Sequence, residues 1–158
     1  MFTLPTITQL TRLTEQDIRF VLVTILDAPG TGVIAPGEFM CLLLYDLLKA
    51  CGFQVEHMVP ILKHFKHELY EVGRKCDCHQ PTSGVLVIAD NRYVSLDLKE
   101  KVYDIIGMQE LSQLPVPVVS LAVVLPALYQ RALLALKAPA CLRAAEVAQP
   151  PAVSGRTI

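Results

Sequence analysis

Tryptophan is absent from this chain, aromatic residues make up only 6% of it and charged residues only 18%. Fourteen Lys and Arg stand against fifteen Asp and Glu, for a net charge of −1. A chain so balanced has no global basic field to draw it to nucleic acid or to anionic lipid. Also missing is the polarity that keeps chains unfolded. The 158 residues are 53% hydrophobic with a mean hydropathy of +0.44, which excludes global disorder and supplies one domain with ample core. No internal repeat is visible.

Catalytic motifs are lacking as well. Pro29-Gly30-Thr31-Gly32 has neither the lysine nor the preceding strand of a phosphate-binding loop. Neither Ser83 nor Ser95 stands in a Gly-X-Ser-X-Gly elbow. Asp90, Asp97 and Asp104 fall near the ends of candidate strands, where turn roles account for them. No enzyme activity and no cofactor are expected. The five cysteines, Cys41, Cys51, Cys76, Cys78 and Cys141, are odd in number, which argues against a disulfide framework. The opening residues show no basic segment followed by an apolar run, so a cytoplasmic location is expected.

One long uncharged stretch does exist. Leu111 to Gln130 carries no charge over twenty residues, long enough to cross a bilayer as a helix. Pro115, Pro117 and Pro126 interrupt it and Arg131 follows it. Pro115 and Pro117 favour extended backbone around them, so a buried strand and then a buried helix are expected rather than a membrane span.

Helical periodicity dominates the first half. Thr14 reads as an N-cap with Asp17 in the first turn, and Ile18, Val21, Leu22 and Ile25 share one face of a helix ending near Asp27. After a breaker loop over 28–36, a second helix runs from about Gly37 to Cys51, with Phe39, Leu42, Leu43, Leu47 and Leu48 as its apolar stripe. Gly52 is placed to end it with a positive φ. A third helical segment covers about Gln54 to Val72, with a kink or restart expected at Pro60 and a loop from Gly73 to Ser83. The period then changes to two. Val85–Ala89 and Arg92–Leu98 flank Asp90-Asn91 as a hairpin, and Val102–Ile106 completes a three-stranded meander. Val116–Ser120 is a fourth strand or arm, a helix covers about Leu121 to Lys137, and 138–158 reads as a loose tail. The fold class expected is α+β: a helical unit over 14–72, a β-meander over 85–106, and a strand and helix over 116–137, forming one compact domain over 1–137.

The helix, the Gly52-Phe53 turn and the second helix make a helix–turn–helix arrangement over Leu42–Leu62. Leu47, Leu48 and Gly52 followed by Phe53–Leu62, together with Thr14–Asp17, resemble the corresponding segments of the MerR-type regulators. The resemblance spans about residues 14–65. It implies a dimeric transcription regulator that binds double-stranded DNA. In that reading Gln54 and His57 face base edges, Lys63 and Lys66 meet phosphates from one helix face, and Arg92 sits on a wing-like hairpin.

Two further patterns bear on function. All four histidines lie between residues 57 and 79, and His64, Cys76, Cys78 and His79 offer the four nitrogen and sulfur donors of a zinc site, though with a spacing that matches no common zinc module. Such apolarity in a short chain also suggests surface buried in a homo-oligomer. The alternative to a DNA-binding regulator is therefore a non-enzymatic protein–protein interaction module with an oligomeric apolar interface.

Overall fold

A computed structural model describes residues 1–30, 32–89, 92–96, 101–105, 108–111 and 119–138. Its centre is helix α3 (Pro36–Ala50), in which ten of fifteen residues are buried. Pro36 in the first turn fits a helix start, where its missing N–H costs nothing. Gly52, at φ +88°, turns the chain away beyond the other end, as the sequence indicates.

The N-terminus is more structured than its polar sequence suggests. Strand β1 (Phe2–Thr3) leads into helix α1 (Leu4–Leu10), which places Pro5 in its first turn and buries Ile7. Helix α2 (Glu15–Arg19) starts where expected. The Thr14 side chain accepts the Asp17 N–H, and the Asp17 carboxylate accepts the Thr14 N–H at 2.9 Å. The expected helix to Asp27 is present but changes pitch, because Phe20–Ile25 is a π-helical turn. Val21, Leu22 and Ile25 remain buried. Strand β2 (Val33–Ile34) pairs antiparallel with β1. Phe2 then stacks on Phe39 with ring centroids 4.0 Å apart, and Phe39 meets Tyr129 edge-on at 5.3 Å.

The third helical segment departs from expectation. Pro60 lies inside helix α4 (Val55–His64), and the break falls at Phe65, with φ −97° and ψ 14°. Phe65 is wholly buried, so the break turns its ring into the core and redirects the chain. Helix α5 (Lys66–Asp77) follows and overruns the expected loop, since Gly73–Asp77 is helical. Gly73 is not a breaker here. An ideal Cβ on it would lie 2.4 Å from the Pro36 carbonyl oxygen and 2.9 Å from Gly37 Cα. Gly37 in turn has room for no Cβ, which would lie 2.8 Å from Tyr70 Cα. Two glycines thus let α3 and α5 touch backbone to backbone.

Strands β3 (Val85–Ala89), β4 (Tyr93–Leu96) and β5 (Lys101–Asp104) form the expected meander, with Leu86 opposite Leu96 and Val94 opposite Tyr103. Ala89 pairs with Tyr93, and β4 begins at Tyr93 rather than at Arg92. Two more strands extend the sheet. Strand β6 (Gln109–Leu111) adds beside β5, and β7 (Val119–Val124) adds beside β3, giving the order β6-β5-β4-β3-β7. The helix expected from Leu121 begins only at Leu125, as α6 (Leu125–Lys137). Val119, Val123 and Val124 suit a strand, and a start at Leu125 leaves Pro126 in the first turn, where no hydrogen bond is lost. The fold is α+β, as expected. Expected features at Asp90-Asn91, 97–100, 106–107, 112–118 and the tail from 139 lie outside the described residues.

Replacing Gly73 by alanine should lower stability by about 2 kcal/mol, because the new methyl meets backbone that cannot swing aside. Gly52→Ala meets no atom and should cost about 1 kcal/mol, from the left-handed backbone alone. Denaturant unfolding of both variants measures the difference. Equal effects would show that α3 and α5 do not need this close approach.

Candidate interaction surface

Strand alternation gives the sheet two faces. Leu86, Ile88, Val94, Leu96, Tyr103 and Val123 point inward and join one hydrophobic cluster with helix residues such as Phe65, Leu69 and Val72. The Tyr103 ring lies 4.2 Å from that of His64 and 5.7 Å from that of Phe65. The opposite face carries Val85, Val87, Tyr93, Ser95 and Val102, half-buried, with Ala122 and Val124 exposed. Register aligns Ala122, Val87, Ser95 and Val102 in one row across four strands, and Val124 beside Val85 in another. This outer face is largely apolar where a solvated antiparallel face ordinarily alternates to polar residues. Its polar end is closed on itself. Arg92 Nη2 lies 3.1 Å from Asp104 Oδ2, and the guanidinium sits 5.5 Å from the Tyr93 ring centre.

The residues expected to contact DNA are placed as follows. Gln54 is exposed at the N-cap of α4 without a side-chain capping bond, and His57 is half-buried one turn later. Lys63 is exposed in the last turn of α4. Lys66 does not share that helix face, because the Phe65 break puts it at the start of α5. Its ammonium donates to the Leu26 carbonyl and lies 5.8 Å from the Tyr70 ring centre. Arg74 and Lys75 are both paired with Glu71. Arg92 is held by Asp104. The i, i+3, i+4 basic face read from one continuous helix is therefore divided between two helices, and Glu56 lies in the first turn of α4 beside Gln54 and His57.

The candidate zinc residues are not assembled. Among the described residues no group of three or more His, Cys, Asp and Glu side chains is placed to hold a metal ion. Cys76 is buried, where desolvation raises its thiol pKa, while Cys78 and His79 are exposed beyond the end of α5. A cleft of about 280 Å³ lies between the π-helical turn and β2. Leu22, Pro29 and Val33 contribute to its walls, and its carboxylate, Glu38, already accepts the Ala35 N–H at 2.7 Å. It lacks the converging polar groups of a catalytic pocket. Among the described residues no helix is long and apolar enough to cross a membrane.

No protein-family model matches the chain, and comparison with curated proteins and with solved structures returns no match. The outer sheet face is not visible from sequence because only 119–120 of β7 fall in the expected strand, while Leu121–Val124, which bring Ala122 and Val124 to that face, are expected as helix. The signal for it was the run of valines ahead of Pro126.

Treatment with a strong chelator should leave the thermal midpoint unchanged. A clear fall, with about one zinc ion recovered per chain, would restore His64, Cys76, Cys78 and His79 as a structural site.

Proposed function

We propose that this chain is a non-enzymatic protein–protein interaction module that docks through the outer face of its sheet. The observation that carries this reading is the row Ala122, Val87, Ser95 and Val102 with Val85 and Val124 beside it, apolar save for one serine. Contiguous apolar surface rimmed by polar groups, here Arg92 and Asp104, is the usual mark of a docking site. A photo-reactive side chain placed at Ser95 tests it in the cell that makes the protein. One discrete heavier adduct is expected from Ser95 and none from the same group at Gln130, which is exposed on α6. No adduct from Ser95 would sink this reading.

A second reading, the dimeric DNA-binding regulator suggested by the MerR-type resemblance, is favoured by one observation. Helices α3 and α4 are joined by a short turn in which Gly52 takes the left-handed conformation. In that reading Gln54 and His57 face bases, while Lys63, Lys66 and Arg92 meet phosphates, the last two after leaving their present partners. Salt-titrated binding to mixed duplex DNA separates the readings. The interaction module predicts no measurable binding at low salt. The regulator predicts binding whose log–log salt slope flattens by about 0.9 in Lys63→Ala.

A further inference from the structure

The two edges of the sheet are unlike. Strand β6 is three residues long, exposes Gln109 and Glu110, and carries an ion pair between Lys101 and Glu110 at 3.2 Å. Shortness and charge are how an edge is kept from pairing with another chain. Strand β7 has neither guard. It is six residues long and lies within the uncharged span 111–130, and among the described residues no strand lies beyond it. Its one irregularity, a register shift opposite Ile88 and Ala89, is confined to its start. From Leu121 to Val124 the pairing with β3 is regular, so this stretch is a straight template of backbone donors and acceptors.

We propose that β7 pairs edge to edge, antiparallel about a two-fold axis, with β7 of a second copy of this chain. The inference rests on the reading of the sheet as an interaction surface and names its first partner. Identical strands paired in this way place each residue near its own kind, so any charge would repel itself; β7 has none. With the axis through Val123, Ala122 of each copy faces Val124 of the other on the outer side, a small residue against a larger one. Val124 is 51% exposed and has room to be covered.

Area favours the same arrangement. Five strands about 4.8 Å apart and about 15 Å long present a flat projection of about 350 Å², well short of the ~800 Å² per partner of a stable interface. Two sheets joined through β7 form one ten-stranded sheet whose outer faces are continuous and twice that size. Pairing therefore brings the continuous outer face to about 700 Å², close to the ~800 Å² per partner of a stable interface.

Sedimentation of the full chain at about 100 µM, a concentration that populates even weak dimers, tests the pairing. Twice the 17.4 kDa chain mass is expected. The double substitution Ala122→Lys with Val124→Lys puts like charges opposite one another in either symmetric register and should weaken association about tenfold. Mixing it with Ala122→Glu, Val124→Glu should restore a dimer containing one copy of each. A monomeric unaltered chain, or a dimer indifferent to the lysines, overturns the proposal. Should the lysine variant fail to fold, hydrogen exchange on the unaltered chain decides. Protection of the Leu121–Val124 amides must rise with protein concentration, and its absence overturns the pairing. A monomer that still yields the Ser95 adduct overturns the pairing alone. A dimer without that adduct supports the pairing and removes the wider reading.

Discussion

The backbone contact between α3 and α5 is the constraint on which the other placements depend. Gly73 lies against Pro36 and Gly37, and Gly37 against Tyr70, at distances no Cβ would allow. This fixes where α5 must begin and how it must run. The chain reaches that start from α4 only by breaking at Phe65, which buries the ring. The buried ring then meets Tyr103 of β5, so the helix contact sets the position of the sheet as well. At the same end of α5, Lys66 caps the Leu26 carbonyl and secures the π-helical turn. One steric fact thus propagates into the layer that carries the outer face.

The fold also uses much of the chain's small stock of cations. Arg12 is joined to Asp46, Lys49 to Asp17, Lys66 to a carbonyl, Arg74 and Lys75 to Glu71, Arg92 to Asp104 and Lys101 to Glu110. Exposed pairs of this kind contribute about 1 kcal/mol or less, so they do not explain stability. They do hold these cations against carboxylates or a carbonyl of the same chain. These seven basic groups are turned toward acceptors on the chain's own surface, while Lys63 on α4 stays exposed.

How much of this was legible in the sequence follows from the range of each signal. The Thr14–Asp17 cap, the stripe of α3 and the Gly52 turn are local, and each was read correctly from neighbours within four residues. Inward Val94 and Leu96 followed from alternation. Tertiary demands were not legible. Pro60 looks like a breaker, yet the chain breaks at Phe65 because the core needs that ring. Gly73 looks like a loop residue, yet it is a helix contact point whose reason lies at residues 36 and 37. Leu121–Val124 is apolar enough for helix or strand, and only Pro126, read together with the three valines before it, favours the strand. The expectation of one helix carrying Lys63, Lys66 and His67 is overturned for the same reason, since i, i+3, i+4 spacing means adjacency only on an unbroken helix and this one breaks at Phe65.

The distribution of apolar residues across the sheet gives the outer face its direction. Strand β3 reads Val-Leu-Val-Ile-Ala, apolar on both faces, as strands covered on both sides do. The described side chains of β7, Leu-Ala-Val-Val from 121 to 124, follow the same pattern. On the outer face β4 carries Tyr93 and Ser95, β5 adds Asp104 and β6 adds Gln109, while Lys101 and Glu110 stand on the side of Leu96 and Tyr103. The polar residues of the outer face are therefore confined to β4, β5 and β6, and none falls on β3 or on residues 121–124 of β7. A sheet meant to face water on one side has no reason to grade its outer face in this way. A sheet wetted at one edge and paired at the other does, and the pairing proposed for β7 falls on a strand that carries no charge.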